Sequence, residues 1–337
     1  MSRVNRQWKL RRRPEGWPEP NCWELVESEV PTTPDNHVLL RSRYLSVDPY
    51  MRARIGTTKT YAPSVPIDGT MIGAGVAEVA ESRHPEFEVG EIVETFHMGW
   101  QDYKLSNTTG LRKIDPNLAP ISTALGVLGM NGLTAYWGVV DVMACVPGDT
   151  VVVSGAAGAT GYVVGQIAKI NGCRVVGTAG SDKKIAWLLD ELGFDAAFNY
   201  KKTGDYGKPL QEVCPEGIDC YFDNVGGDLT DAVFPLLNLR ARVAICGQIS
   251  SYNNPDFNEM GPRLLRYLIA KRVRIQGFLI FDYFHRTDEA LPRMARWLRE
   301  GKLEHRETVY EGLERAPEAF IGMMQGDNIG KTIVKVT

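Results

Sequence analysis

The sequence predicts an α/β protein in which an all-β domain precedes a doubly wound parallel sheet. The chain has 337 residues, enough for two domains at roughly 150 residues each. Its first third reads as short strands separated by prolines and turns, whereas strands and helices alternate in the second half. Glycine is enriched, at 34 residues, or about a tenth of the chain against a usual share of about 7%. This surplus calls for a local explanation.

The composition excludes several classes of protein. Lys and Arg total 38 and Asp and Glu total 41, so the net charge is −3, and we expect no nucleic-acid binding, which needs concentrated positive charge. Hydrophobic residues make up 44% and charged residues 23%, which is ordinary globular usage rather than disorder. No run approaches 18 apolar residues, so we expect no membrane span. The basic N-terminus lacks the apolar run of a signal peptide. A transit peptide is one alternative, and a solvated first strand containing Trp8 and Leu10 is the other, which we favour.

The cysteines indicate a reducing compartment. None of them forms a C-x-x-C pair, so the spacing predicts neither a metal knuckle nor a redox dithiol. Most have apolar neighbours, as expected for reduced core residues. We therefore predict a cytoplasmic protein. The six are Cys22, Cys145, Cys173, Cys214, Cys220 and Cys246.

The first domain is predicted from strand-like runs at residues 38–45, 75–80 and 91–96, which prolines and turns separate. Near residue 121 the pattern changes. Residues 123–140 can form a helix, with a break at 129–132. Beyond this point we expect a different architecture.

The second domain is predicted from strands that alternate with helices. The run 151–153 is entirely valine, as in a strand buried on both faces of a parallel sheet. After Arg299 we expect strands again, ending at 332–336 and returning to the first domain. Helices are predicted at 161–171 and 183–192, and further strands at 174–178, 196–198, 220–222, 242–246 and 273–278.

A glycine-rich loop joins the buried strand at 151–153 to the helix at 161–171. Aligned with the dinucleotide-binding fingerprint G-x-G-x-x-G, its three positions are Ala156, Gly158 and Gly161. Gly158 lets the backbone approach a pyrophosphate, and Gly161 lets the helix pack close to the strand. The start of the helix offers N–H groups and partial positive charge to phosphates. The sequence therefore predicts a nucleotide site, with a structural turn as the alternative.

The end of the next strand favours NADP over NAD. An NAD site needs an acid about 20 residues beyond the glycines, but residues 178–181 are Thr-Ala-Gly-Ser, and Lys183 and Lys184 follow. Asp182 is the contrary residue, and we expect it in the first turn of the next helix. Lys184 is a candidate for the 2′-phosphate, although it could also be a solvated helix residue.

Six short segments carry a resemblance to a known family. The sequence resembles the zinc-independent branch of the medium-chain dehydrogenase/reductases, in the group of leukotriene 12-hydroxydehydrogenase/prostaglandin reductase and bacterial curcumin reductase. The resemblance covers almost the whole chain. The segments are 45–52, 126–130, 132–136, 222–227, 246–253 and 326–331.

The resemblance implies a GroES-like β-barrel catalytic domain (1–123), a Rossmann NADP-binding domain with a doubly wound parallel sheet (124–299) and a C-terminal return to the catalytic domain (300–337). It places Lys184 and Tyr200 beside the 2′-phosphate and Asn328 at the nicotinamide end. Asn131 departs from the family, in which proline is usual at this position. The sequence therefore does not predict the shape of the pocket beside Met130. The implied cofactor contacts are Gly158, Ala159, Thr160, Gly161, Lys184, Tyr200, Asn224, Cys246, Gly247, Ser250, Ser251, Tyr252, Phe278, Leu279, Ile280 and Asn328.

The expected chemistry uses no metal. Zinc-dependent relatives carry cysteine and Gly-His-Glu ligands, whereas residues 44–52 contain no cysteine and residues 69–71 are Gly-Thr-Met. Without a Lewis acid, reduction of an enone C=C bond by hydride from NADPH is easier than reduction of a carbonyl. The enolate oxygen then needs a hydrogen-bond donor.

Tyr252 is the best candidate for that donor, because a phenol is neutral at pH 7 and follows the end of a strand. In relatives, the matching tyrosine is the proposed enolate stabiliser or proton donor. The alternative is a packing tyrosine, with ribose or water giving the proton. Tyr50, Trp100 and Met130 are candidates for the substrate wall, or else core residues.

The predicted activity is therefore NADPH-dependent reduction of α,β-unsaturated ketones, such as curcumin or 15-oxo-prostaglandin-like compounds. A quinone reductase or an allylic alcohol dehydrogenase is the alternative among enzymes. A non-catalytic, crystallin-like NADPH-binding protein is the alternative of another class. A homodimer is expected by analogy with the family alone.

Overall fold

The computed structural model describes residues 3–57, 60–254 and 260–337. Two compact units divide the chain. The β unit comprises Met1–Leu125 and Glu307–Thr337, and the α/β unit comprises Gly126–Arg306. Among the described residues, no helix combines the length and the apolar character that a membrane span requires.

Most regular elements in the first segment of the β unit are strands, as the alternation of apolar and turn residues predicts. The strand predicted at 38–45 is confirmed within a longer one. Its elements are β1 (Val4–Leu10), β2 (Trp23–Glu29), β3 (Val38–Ser46), α1 (Met51–Arg54), β4 (Gly75–Ser82), β5 (Ile92–Thr95), β6 (Tyr103–Ser106) and β7 (Arg112–Lys113).

The α/β unit alternates strands and helices, as predicted. The valine strand is fully buried, in keeping with a parallel sheet covered on both faces. The elements are α2 (Met130–Trp137), β8 (Thr150–Val153), α3 (Gly161–Ile170), β9 (Arg174–Ala179), α4 (Asp182–Ala186), β10 (Ala196–Asn199), α5 (Gly207–Val213), β11 (Ile218–Asp223), α6 (Gly227–Val233), β12 (Leu237–Ile245), α7 (Leu265–Lys271), β13 (Arg274–Gly277) and α8 (Thr287–Arg299).

The last segment of the chain supplies β14 (Glu307–Glu311), α9 (Ala316–Gln325) and β15 (Lys331–Lys335) to the β unit. β15 lies between β14 and β3, parallel to the first and antiparallel to the second. The seven-stranded sheet has the order β14-β15-β3-β4-β5-β7, and β6 also pairs with β3. The end of the chain is therefore an internal strand of this sheet.

The α/β unit is a doubly wound sheet with the strand order β10-β9-β8-β11-β12-β13. All of its neighbouring strands are parallel. The order reverses between β8 and β11, and ligands bind such sheets outside the carboxyl ends of the strands at this point. The topology therefore directs attention to the loops after β8 and β11.

Two predictions of local structure were wrong. The helix predicted over 123–140 is a 3₁₀ turn (Ile121–Leu125), then α2, then a π-helical turn (Gly138–Val142). Beyond Arg299 strands were expected, but α9 lies between β14 and β15. Its signals were a proline in the first turn, Pro317, and a left-handed glycine at the end, Gly326.

Candidate functional site

The glycine loop lies in the crevice that the topology indicates. Its backbone is fixed at both ends, since Ala156 N donates to Thr178 O (2.9 Å) and Gly158 N donates to Gly155 O (3.0 Å). Gly155 has a φ of 58°, a left-handed conformation that favours glycine. A Cβ on Gly161 would lie 2.4 Å from Gly155 O. The close packing expected at Gly161 is therefore present.

The outer side of the loop fits a phosphate. A Cβ on Gly158 would meet one atom within 4 Å, Gly155 O at 3.3 Å, so the backbone here is open to close approach. Among the described residues, no side chain caps α3 at Thr160. An uncapped helix start retains N–H groups and partial positive charge for an anion.

The end of β9 is lined by small residues and a phenol. A Cβ on Gly180 would lie 2.8 Å from the hydroxyl of Tyr200, so that hydroxyl lies against the backbone just beyond the strand. Burial raises the pKa of Tyr200, which keeps it neutral. Ser181 accepts a hydrogen bond from Lys184 N at 3.3 Å and so caps α4. Lys184 lies in α4, which follows β9, and Tyr200 follows β10. Both residues therefore lie just beyond the carboxyl ends of neighbouring strands.

Asp182 is the first residue of α4, as predicted. Its carboxylate accepts hydrogen bonds from Asn199 Nδ2 (2.9 Å) and Lys202 Nζ (2.5 Å). The bonds from Asn199 and Lys202 lower the pKa of Asp182. Lys202 therefore balances the one acidic charge that argues against a 2′-phosphate.

Asp223 organises the loops around the crevice, a role that sequence reasoning missed. It is fully buried at the end of β11. Its carboxylate accepts hydrogen bonds from the glycine loop, from the segment that runs from β11 into α6, and from the loop after β12. The donors are Ser154 Oγ (3.0 Å), Tyr221 Oη (3.0 Å), Val225 N (2.9 Å), Gly226 N (2.9 Å), Thr230 Oγ1 (2.7 Å) and Gln248 Nε2 (3.4 Å).

Asn224, the next residue, links the same loops through its own hydrogen bonds. Its side chain donates to Ser154 O (2.7 Å), and its own carbonyl accepts from Ile249 N (3.3 Å). The amides of Cys246 and Gly247 both donate to Asp223 O. Burial raises the pKa of the Cys246 thiol to about 12, so it is not a thiolate at neutral pH.

Tyr252 ends the short 3₁₀ turn after β12 and is half-buried. Its hydroxyl accepts a hydrogen bond from Gln248 N at 3.4 Å, and a Cβ on Gly247 would lie 3.3 Å from it. The phenol therefore folds back over the strand end. Ser250 and Ser251 anchor this turn by donating to Val225 O (2.6 Å) and Gln248 O (2.9 Å).

The other residues of this unit that were predicted to contact cofactor or substrate range from exposed to buried. Phe278 packs edge-on against Phe222, with ring centroids 6.2 Å apart. Leu279 is exposed, whereas Ile280 is buried. Met130 begins α2 and is half-buried.

Asn131 follows Met130 and is buried. Its side-chain amide donates to Thr160 Oγ1 at 3.4 Å. Asn131 therefore links α2 to the end of the glycine loop.

The remaining predicted residues belong to the β unit. Tyr50 is half-buried, and burial, followed by the charge of Asp48, raises its pKa, so it is a neutral phenol. Asn328 is also half-buried and donates to Gly330 O (2.8 Å). Trp100 is fully buried, with its ring centroid 5.8 Å from that of Trp23. We assign Trp100 to the core, the alternative that the sequence left open.

The β unit also holds a buried ion pair. Lys331 and Asp48 are 1% exposed each, and Lys331 Nζ lies 2.6 Å from Asp48 Oδ1 and donates to Val47 O at 2.8 Å. Burial lowers the pKa of Lys331. The pair joins β15 to the segment that leads to Tyr50.

Two family models match the chain. Residues 6–114 match the N-terminal domain of oxidoreductases, and residues 159–296 match a domain described as zinc-binding dehydrogenase. A β domain followed by a dinucleotide-binding sheet with these matches defines the medium-chain dehydrogenase/reductases.

The NADPH-dependent curcumin reductase of Escherichia coli is 44% identical over 98% of this chain and 97% of its own length. Prostaglandin reductase 1 of Rattus norvegicus is 43% identical over 97% of this chain and 98% of its own. The crystal structure of CurA from Vibrio vulnificus in complex with NADPH matches with a TM-score of 0.94 and 46% identity, covering 98% of this chain and 99% of that one. The chain belongs to the zinc-independent branch of the family that contains these reductases.

The second description mentions zinc, but its residues are those of the nucleotide-binding unit. Across residues 3–57, 60–254 and 260–337, one group of three ligating side chains has donor atoms within 4.8 Å of one another: Cys145, Asp149 and Cys220. Asp149 precedes β8, whereas the glycine loop follows it. This group therefore lies at the opposite end of the sheet from the candidate nucleotide site.

Proposed function

We propose that this protein is an NADPH-dependent reductase of the C=C bond of α,β-unsaturated ketones. The observation that carries the proposal is the combination, in one unit, of an open glycine loop, a neighbouring strand end without a free acid, and a half-buried phenol beyond β12. The names of its relatives support the same cofactor and substrate class. Curcumin and 15-oxo-prostaglandin-like enones are the proposed substrates.

The residues present fit the cofactor. The loop from Gly158 to Gly161 would hold the pyrophosphate, and Lys184 with Tyr200 would hold the 2′-phosphate through charge-assisted hydrogen bonds. Asn224, the loop from Cys246 to Tyr252, the residues Phe278 to Ile280, and Asn328 complete the proposed set. Trp100 is left out of the substrate wall, and Tyr50 and Met130 remain in it.

When bound, NADPH supplies a hydride to the β-carbon of the enone. The protein then has to stabilise negative charge on the carbonyl oxygen of the substrate. Tyr252 would donate a hydrogen bond to that oxygen and either hold or deliver the proton, because a neutral phenol is a donor at pH 7.

The test is product analysis with the full-length protein, NADPH and a simple enone. We expect one NADPH consumed for each saturated ketone formed, as identified by mass spectrometry. An allylic alcohol would indicate carbonyl reduction and contradict the proposal, and turnover of quinones alone would favour a quinone reductase. NADPH binding without consumption would favour a binding protein.

We further propose a homodimer, formed through the α/β unit. β13 is the edge strand of its sheet and is exposed along its length. The neighbouring α7 exposes 72% of Leu265 and 81% of Ile269. An exposed edge strand beside apolar side chains favours pairing with a second copy. Sedimentation of the wild type and of an Ile275→Lys variant tests this, because an unchanged monomeric mass in both would contradict it.

A cytoplasmic location is also proposed. All six cysteines are free, which supports a reducing compartment. Fractionation of the source cells would test this location.

A further inference from the structure

A cluster of thiols lies at the amino ends of the parallel strands of the α/β unit. Cys145 Sγ is 3.4 Å from Cys220 Sγ, and Cys220 Sγ is 3.7 Å from Asp149 Oδ2. The thiol of Cys173, outside this group, donates to Val146 O at 3.3 Å. Cys220 and Asp149 are buried and Cys145 is half-buried. The nucleotide site uses none of these side chains.

The spacing of the donor atoms is that of a metal site. With Zn–S bonds of about 2.3 Å and Zn–O bonds of about 2.1 Å, neighbouring ligands of a tetrahedral ion lie about 3.8 Å apart for two sulfurs and about 3.6 Å apart for sulfur and oxygen. The two observed separations, 3.4 and 3.7 Å, differ from these values by a few tenths of an ångström. These two spacings are therefore close to those of neighbouring ligands in a tetrahedral site.

The surroundings orient the carboxylate, as second-layer groups do in metal proteins. Asp149 Oδ2 accepts a hydrogen bond from Val146 N at 2.9 Å and forms an ion pair with Arg242. Arg242 is itself fixed by donating to Met143 O at 2.9 Å. The carboxylate is thus held at the cluster before any ion binds.

The charges balance for a divalent ion. Two thiolates, one carboxylate and the guanidinium of Arg242 sum to −2, which a divalent cation neutralises. Without the ion, two neutral thiols and the Asp149–Arg242 pair are also neutral overall. The buried cluster is therefore electroneutral in both states, which avoids the cost of an unpaired buried charge.

We propose that Cys145, Cys220 and Asp149 bind a thiophilic divalent ion such as Zn²⁺. Binding releases one proton from each ligating thiol, because the thiolate is the ligand. The glycine loop lies beyond the opposite end of β8, so the ion stabilises the fold and takes no part in the proposed hydride transfer.

The test uses full-length protein treated with a chelator, dialysed, and titrated with Zn²⁺ or Co²⁺ alone. We expect one ion per chain, a thiolate-to-cobalt charge-transfer band, and a higher Tm in the presence of Zn²⁺. In Cys145→Ser and Cys220→Ser the band and the Tm increase should be lost. Cys214→Ser is the matched control, since Cys214 is also a buried thiol (2% exposed) but lies outside the cluster. It should retain both.

A second measurement covers the case in which the serine variants fold poorly. In the wild type, Zn²⁺ should slow maleimide labelling of Cys145 at least about tenfold, as read from its peptide by mass spectrometry. Absence of protection and of the cobalt band would overturn the proposal. A Cys145–Cys220 disulfide in freshly purified protein would also overturn it. Loss of enone reduction on chelation with an unchanged Tm, and full recovery on Zn²⁺ addition, would contradict the structural role.

Discussion

Asp223 is a buried carboxylate whose six donors come from three segments around the crevice. Asp223→Asn retains the shape but turns one acceptor into a donor that faces other donors. We expect about 1–3 kcal/mol of lost stability, as for other buried unsatisfied groups, and a KM for NADPH raised several-fold. Thermal unfolding and steady-state kinetics measure both. Asp228→Asn, which changes an exposed acid of α6, should have little effect; equal effects would contradict the role of Asp223.

Lys184 and Lys183 offer a matched pair for testing the cofactor assignment. Lys184→Ala should raise the KM for NADPH about tenfold or more and leave that for NADH nearly unchanged, because a charge-assisted phosphate contact is lost. Lys183 is exposed on the same helix, and Lys183→Ala should change neither value by more than about twofold. Kinetics with the two cofactors give the comparison. Parallel changes with NADPH and NADH in Lys184→Ala would reject the assignment.

Tyr252→Phe removes the proposed donor and retains the ring. We expect kcat for enone reduction to fall about tenfold or more, within the range for general acids, while the KM for NADPH changes little. Tyr200→Phe is the control, because it removes a phenol from the other end of the site and should affect the KM for NADPH instead. An unchanged kcat in Tyr252→Phe would move the proton source to ribose or water.

For single residues, the sequence predicts the chemical role of a side chain better than it predicts which residues surround that side chain. The acid-free end of β9 was readable from residue types, and so was the position of Asp182 in α4. The partners of Asp182, Asn199 and Lys202, come from the neighbouring strand and could not be read from the sequence. The network of Asp223 was hidden for the same reason, since Ser154 and Gln248 are distant in the chain and meet only in the folded sheet.

At the scale of elements, the connection of β8 to α3 depends on two glycines with different roles. Gly161→Ala places a Cβ 2.4 Å from Gly155 O and 2.8 Å from Ala156 Cα, and overpacking of this kind costs about 1–3 kcal/mol. Gly158→Ala meets no atom closer than 3.3 Å and should instead weaken NADPH binding. We expect a lower Tm in the first variant and a raised KM in the second. Reversal of these effects would contradict the two assignments.

The elements of the sheet were predictable because each buried strand is a short apolar run with turn residues at its ends. The elements beyond residue 299 were harder to predict. The helix α9 was not predicted, although Pro317 and Gly326 mark its ends, because the apolar strand pattern that follows it is the stronger signal. The break in residues 123–140 was expected, but the helix begins inside the glycine pair, at Met130.

At the scale of the whole molecule, the Lys331–Asp48 pair joins the end of the chain to its beginning. Lys331→Met removes the ammonium from a buried carboxylate, and we expect about 3–5 kcal/mol of lost stability. Lys331→Met combined with Asp48→Asn should recover part of this loss, because no charge is left buried. Urea unfolding of the single and double variants measures the coupling. If the single variant is as stable as the wild type, the pair does not stabilise this unit.

Two units were predictable from length and from the change of pattern, and the doubly wound sheet from alternation. Contacts between distant strands were not. Cys145 and Cys220 lie 75 positions apart and meet because β8 and β11 are neighbours at the reversal of strand order. The spacing of cysteines along the chain carries no signal of such a meeting.

The position of β15 inside the first sheet has a consequence for biosynthesis. A ribosome releases the α/β unit as one continuous stretch, Gly126–Arg306, whereas the β unit is split and lacks β14, α9 and β15 until after that stretch has been made. Until then residues 44–46 of β3 lack their partner β15, whereas residues 38–41 can already pair with β6. The α/β unit can therefore complete its fold first. The nascent first segment of the β unit meanwhile has an exposed strand edge, and a chaperone would be of most use at this stage.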